Sequence, residues 1–284
     1  MPPGSGAPST GPPPVLIGTS VPFAAGRRAG HTFAVLASLL VWLVMLAPLL
    51  PLVTRLHART IAATGRTGPG WSPVWVSLGS AGIALTVLVL GGTGLAWMLA
   101  TGRLPAPRVW EAGLLLMQLM PPLVIGLLLV FLVGPYTAVG RLLADVHLSA
   151  TNTFLALVVA EVYEAAPYYV LGAQAAFAAL DPRLAVTAGL LGDRPVRTFR
   201  RVSLPLAAPG LAAALAAAWA RAVGAFGAVI IIAYHPYGLP LAVWTTLEEV
   251  GLEQALPYAA ALLLVAVPVP LAAYLWSARA RRRR

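Results

Sequence analysis

The run over residues 33–53 contains no ionisable side chain, and apolar runs of similar length recur along the chain. A helix needs about 20 such residues to cross about 30 Å of hydrocarbon, where every backbone polar group must find a partner within the protein. A chain that repeats these runs is therefore expected to be an all-α integral membrane protein. About six spans are read, over residues 33–53, 74–100, 112–133, 153–179, 206–233 and 258–276. The composition agrees: 59% of the 284 residues are hydrophobic and only 10% charged, outside the range of soluble domains. Residues 1–30, rich in Pro, Gly and Ser, are expected to form a disordered tail. Residues 31–278 then make the transmembrane domain and 279–284 a basic tail. Pro121-Pro122 is expected to kink or interrupt the third span. The segments over residues 54–73 and 134–150 read as loops.

Residue usage removes several functions. All 19 basic residues are arginines, so the chain has no phosphate-loop lysine and no Schiff-base lysine. It cannot be its own ATPase. The absence of cysteine excludes disulfides, thiolate metal sites and iron–sulfur clusters. His31, His57, His147 and His235 show no ligand spacing. No metal or cofactor is expected. The net charge of +10 lacks the basic patch with interleaved aromatics of a nucleic-acid surface. Instead the arginines sort by loop. With the N-terminus inside, Arg27, Arg28, Arg103, Arg108, Arg183, Arg194, Arg197, Arg200, Arg201, Arg279 and Arg281 to Arg284 are internal, against Arg55, Arg59, Arg66 and Arg141 outside. That bias puts both termini and the loop after span four in the cytoplasm, with the terminal arginines as an anchor on anionic membrane lipid.

That loop, Asp181 to Pro209, is the longest arginine-bearing segment between apolar blocks. Asp181 suits an N-cap and Pro182 the first helical position, after which Leu184, Ala188 and Leu191 share a face. Gly192 can take the left-handed conformation that ends a helix. Asp193 can cap a second helix, and Leu204-Pro205 is expected to stop it. Val196, Phe199 and Val202 would give the second arm an apolar edge. The result is an angled helix pair whose surface wants a partner.

The spacing resembles the cytoplasmic signature loop of ABC importer permeases, Glu-Ala-Ala-x3-Gly-x9-Ile-x-Leu-Pro. Ala188, Gly192, Val202, Leu204 and Pro205 fall on its Ala, Gly, Ile, Leu and Pro positions, while Val186 and Thr187 depart from it. The resemblance implies a type I importer permease fold, with coupling helices at about 181–205 between spans four and five. Their contacts to the ATPase would come from Leu184, Ala188, Leu191, Gly192, Asp193, Phe199, Val202, Leu204 and Pro205. Two further stretches are similar to the molybdate, tungstate and sulfate branch: Met120 to Gly126, and Arg221 to Val229, in which Ala225 stands where the branch has glutamate. Ile231 to Pro240 and Leu256-Pro257 resemble the molybdate and tungstate members most. The implied assembly is a homodimer in a bacterial or archaeal cell membrane, with cytoplasmic ATPase subunits and an external substrate-binding protein.

Charges inside the spans mark a further site. Glu161 and Glu164 lie near the middle of span four, three apart and so on one helix face, and Arg221 is read near the middle of span five. A lone charge at that depth costs about 2.5–3.5 kcal/mol on insertion scales. Pairing of Arg221 with one glutamate is therefore expected, against a reading in which Arg221 is free to attract an oxyanion. Gly224, Phe226 and Gly227 complete this pathway group; close helix packing is the alternative for the two glycines. Importers of sulfate, iron or polyamine remain alternative family readings. An ATP-independent transporter or channel shares the spans but gives no reason for the Gly192 to Pro205 spacing. An intramembrane enzyme would have only Glu161 and Glu164 to work with.

Overall fold

The computed structural model describes residues 24–65 and 70–282, and every regular element among them is helical. Contacts divide the chain at Pro51 into two units. The first holds α1 (Ala24–Leu46) and a 3-10 turn at Ala47–Leu49; α2 (Leu50–Arg55) follows. Helix α1 starts inside the segment expected to be a tail, whose residues 1–23 lie outside the described residues. The apolar stretch Phe33–Leu52 is long enough to span a membrane.

The second unit begins with α3 (Ala58–Thr64), inside a segment read as loop. The span Ser72–Ala100 is one continuous rod, made of α4 (Ser72–Val87), a π-turn at Leu88–Gly92 and α5 (Thr93–Ala100). Helices α6 (Pro107–Leu119) and α7 (Pro122–Val133) meet at a bend of 114°. Pro121 and Pro122 remove two donors and force Met120 out of the helical region, so the ladder breaks there. The segment read as a loop after span three contains α8 (Ala138–Asp145), capped by Thr137. Helix α9 (Phe154–Ala178) is the fourth span.

After it come α10 (Pro182–Leu190), α11 (Pro195–Thr198), a π-turn at Phe199–Ser203 and α12 (Leu204–Val223). Helices α13 (Gly227–Ile232) and α14 (Leu239–Glu249) follow. The last span, Leu252–Ser277, is built from α15 (Leu252–Ala266) and α16 (Pro268–Arg282); α16 runs on into the segment expected to be a basic tail. Five stretches qualify as spans among the described residues, or six if α6 and α7 count as one.

The core lies between α9 and α12. Ala173, Ala214, Ala218 and Ala222 are buried where the two helices meet, because small side chains let backbones approach closely in lipid, where there is little hydrophobic drive between helices. Around this pair, Tyr169 on α9 bonds Thr93 on α5 at 2.6 Å, and Trp219 on α12 donates to the Val265 carbonyl of α15 at 3.1 Å. Ser77 of α4 accepts from the backbone N–H of Leu239 at 2.7 Å. It thereby satisfies a free donor at the start of α14, whose own N-cap residue Gly238 has no side chain to do so.

Candidate translocation site and coupling loop

The inner site forms where α12 stops. Gly224 ends the helix, the chain turns through Ala225 and Phe226, and α13 restarts at Gly227. Arg221 therefore sits in the last turn of α12, not mid-span as expected from an unbroken run to residue 233. Helix α13 packs against α7, the piece beyond the Pro121-Pro122 break. At Gly227 an added Cβ would lie 2.5 Å from the Pro122 Cβ and 3.1 Å from the Leu123 nitrogen; at Gly126 it would lie 2.8 Å from the Ala228 carbonyl oxygen. Only hydrogens fit between these short helices. Phe226 rests on Trp244 of α14 at 5.7 Å between ring centroids.

Glu164 of α9 joins the two sides of the Gly224–Phe226 turn. One carboxylate oxygen accepts from the backbone N–H of Ala228 at 3.2 Å; the other stands 2.7 Å from an Arg221 terminal nitrogen. That second contact is short but lies off the axis of a hydrogen bond. The Glu164 side chain has no exposed surface, while that of Arg221 is 27% exposed. A charged pair at this depth holds only because each member neutralises the other. Glu161, on the same helix face, does not reach Arg221. Its Oε1 accepts from the Ser80 hydroxyl at 2.8 Å, and its Oε2 is buried with no hydrogen-bond partner. Sequence reasoning passed over Ser80, although Ser77 and Ser80, three apart in an apolar run, were the signal for a polar face on α4.

The coupling loop is built differently. Asp181 accepts from the Arg183 N–H at 2.9 Å and Pro182 holds the first helical position, so α10 has a complete N-terminus. At its other end Gly192 has φ +87°. The Asp193 N–H donates to the Ala188 carbonyl and the Gly192 N–H to that of Gly189, the paired bonds of a Schellman motif. Nothing lies within 4 Å of a Cβ added at Gly192, so the glycine is required by its dihedral and not by space.

Three local readings need correction. Asp193 caps nothing: Arg194 is the N-cap of α11, and Asp193 pairs instead with Arg197 at 3.5 Å. Leu204-Pro205 does not end the second arm, because α11 continues through the π-turn into α12; Pro205 directly follows that turn, where the Leu204 N–H already reaches back to the Phe199 carbonyl and the regular i→i−4 ladder that a proline would break is interrupted. The residues named for one face of α10 have separate fates: Ala188 is buried, Leu184 exposed, and Leu191, like Leu190, more than four-fifths exposed. Phe199 turns inward, 5.0 Å from Trp97 and 5.9 Å from Phe177 between ring centroids, so it fastens the loop to the bundle. Val202 lines a cavity of about 340 Å³ beneath α10 with Leu184, Arg103 and Trp97, and Leu204 packs on the core.

A bundle of broken and continuous spans, with an angled helix pair between its fourth and fifth, defines the permease class of ABC importers. The family model described as "binding-protein-dependent transport system inner membrane component" matches residues 92–284, and the chain belongs to that family. It is a transmembrane subunit and not an enzyme. A protein of Haloferax volcanii described as a probable molybdenum ABC transporter permease is 36% identical over 191 residues, 67% of this chain and 70% of that one. The sulfate transport system permease protein CysT of Salmonella typhimurium is 31% identical over 218 residues, covering 72% and 75%. The fold matches a chain of a bacterial alginate ABC transporter solved in complex with its periplasmic protein, with a TM-score of 0.68 at 16% identity, over 90% of this chain and 96% of that one. The architecture is that of a type I importer permease.

Proposed function

We propose that the chain is the membrane subunit of an ATP-driven importer for a tetrahedral oxyanion, molybdate or tungstate. It works as a homodimer with two cytoplasmic ATPase subunits and an external binding protein. The observation that carries the ATP-driven reading is the coupling loop. Its angle is fixed by Gly192, and it presents Val186, Leu190 and Leu191 outward, exposed among the described residues. The cargo follows the Haloferax volcanii relative. The arginine bias of the loops supports cytoplasmic termini in a cell membrane.

In this reading ATP closes the ATPase pair, the α10 arms are drawn together, and the motion passes through the α11–α12 rod to the turn at Gly224–Phe226. The pathway then opens outward to take the oxyanion from the binding protein. Arg221 is the positive group nearest that turn, and Glu164 holds it in place between turnovers. The test is ATPase activity of the reconstituted complex with binding protein loaded with molybdate, tungstate, sulfate or phosphate. Stimulation by molybdate or tungstate is expected. Stimulation by sulfate alone would change the cargo and leave the importer standing, and uptake without ATP would overturn both. The purified chain alone should show no saturable ATP binding.

A further inference from the structure

Two helices meet at the root of the coupling loop, and each carries a π-turn near the contact. On the second arm the turn is Phe199–Ser203, and its first residue packs on Trp97 at 5.0 Å between ring centroids. On the second span the turn is Leu88–Gly92, and α5 beyond it bears Trp97. The Arg103 guanidinium stacks on the same indole, 4.2 Å from its centroid. A π-turn holds one residue more than an α-turn. If that residue passes into the neighbouring turn, the helix beyond shifts by about 1.5 Å and rotates by about 100°, and the rest of its ladder stays intact. Each π-turn is thus a joint with two registers, and α5 lies between the joint on its own span and the loop.

At its joint α5 is tied to α9. The Thr93 hydroxyl donates to the Val89 carbonyl inside the turn at 2.6 Å, so in its 2.6 Å bond with Tyr169 the phenol is the donor. Both residues are buried. Gly92 lets α9 close on the turn: an added Cβ would stand 3.1 Å from the Tyr169 ring and 3.2 Å from Val170. Tyr169 follows Glu164 on α9, and the ring of its neighbour Tyr168 lies 6.0 Å from the Arg221 guanidinium. Contacts therefore run without a gap from Phe199 through Trp97 and α5 to the helix that holds the inner charge pair, by a route separate from the α11–α12 rod.

We propose, on the ATP-driven reading above, that α5 is a second coupling element: Trp97 takes up the motion of the loop, and the Tyr169–Thr93 bond passes it to α9. Thr93 and Tyr169 are then positioning residues that act through Glu164 and Arg221. The test reconstitutes the complete complex in liposomes and compares ATPase activity with and without binding protein loaded with molybdate, tungstate or sulfate. Tyr169→Phe and Thr93→Val each remove the bond, and Trp97→Leu removes the grip on Phe199. Each lowers the stimulation by about 2- to 30-fold, the range of coupling effects for residues that touch neither ligand. Thr93→Ser keeps the hydroxyl and keeps the stimulation. Trp97→Leu/Tyr169→Phe is no worse than the worse single variant, because both cut one route. Full stimulation in Tyr169→Phe overturns the proposal, and so do losses that multiply in the double variant. Stimulation that only follows the thermal midpoint across the variants, Thr93→Ser included, also overturns it and assigns these residues to packing. A wild type that loaded binding protein does not stimulate overturns it together with the ATP-driven reading.

Discussion

Gly192 in the coupling loop and Gly227 at the inner turn are both positions where a side chain fails, for opposite reasons. Around Gly192 there is open space and a φ of +87°. At Gly227 the backbone is helical and the space is gone, with Pro122 and Leu123 pressed against it. The first region is a shape presented outward, fixed by local bonds and short of tertiary contacts. The second is over-determined, held by α7, by Glu164 and by Arg221 together. A loop that must seat in another protein needs a defined angle and a free surface; a turn inside the membrane must leave no backbone or charge unsatisfied. Damage to the inner turn should therefore appear as lost stability, and damage to the loop as lost coupling in a stable protein.

The largest effect is expected from Arg221→Ala, which leaves the Glu164 carboxylate buried without its counter-charge. Breaking a buried pair costs about 3–5 kcal/mol, and the partial exposure of Arg221 puts the loss near the lower end. The thermal midpoint of the assembled complex should fall clearly, and Glu164→Gln/Arg221→Ala should regain part of the loss. A complex of normal stability that no longer transports would show that Arg221 serves the cargo directly, and the contrast between the two regions would weaken. Next in size is Gly227→Ala, whose Cβ cannot fit without displacing Pro122; overpacking of this kind costs about 1–3 kcal/mol. A normal thermal midpoint for this variant would mean that α7 and α13 are looser than their packing implies.

Legibility from the sequence followed the same divide. The loop could be read because its determinants are local: Asp181-Pro182 starts a helix and Gly192 ends it within one turn of the residues that matter. Where the reading erred there, Asp193 was taken by a local pair with Arg197, and at Leu204-Pro205 a tertiary contact decided. Phe199 packed on Trp97 and Phe177 holds the second arm in line with span five, so the proline fell just past a π-turn inside one continuous helix. The inner site was legible only as unpaired charges. That Glu164 and not Glu161 meets Arg221 depends on where α12 breaks. Gly224 and Gly227 could signal either packing or a break, and residues 206–233 are apolar throughout apart from Arg221. The 114° bend between α6 and α7 was visible as Pro121-Pro122, but the close packing of α13 on α7 beyond it was not.

Changes at Gly192 should separate stability from coupling. Alanine in the left-handed region costs about 1–2 kcal/mol, and asparagine, which tolerates it, less. Proline cannot adopt a positive φ and also removes the N–H that bonds Gly189. The spans do not rest on this residue, so the thermal midpoint should change little in all three variants. Stimulation of ATPase activity by loaded binding protein should fall in the order asparagine, alanine, proline, with proline near zero. Full stimulation in the proline variant would argue that α10 does not transmit the ATPase motion.

The smallest effect is expected at Asp181, where the loop is most purely local. Its carboxylate accepts one N–H, that of Arg183, at an exposed helix start, and Pro182 has no donor to satisfy. Loss of an N-cap costs about 0.5–2 kcal/mol, and the exposed site places Asp181→Ala at the low end. Asp181→Ser should restore most of the loss, since its hydroxyl can accept the same bond, although it gives up the negative charge that favours a helix N-terminus. Hydrogen exchange along α10 is the readout. In the permease alone, Asp181→Ala should speed exchange of the α10 amides several-fold and leave those of α9 and α12 unchanged. With the ATPase subunit bound, the same variant should differ little from wild type, because a docked helix is held by its partner as well as by its cap. Equal sensitivity in the two states would mean that α10 stays in solvent throughout, and the apolar surface of Leu190 and Leu191 would then belong to some other contact.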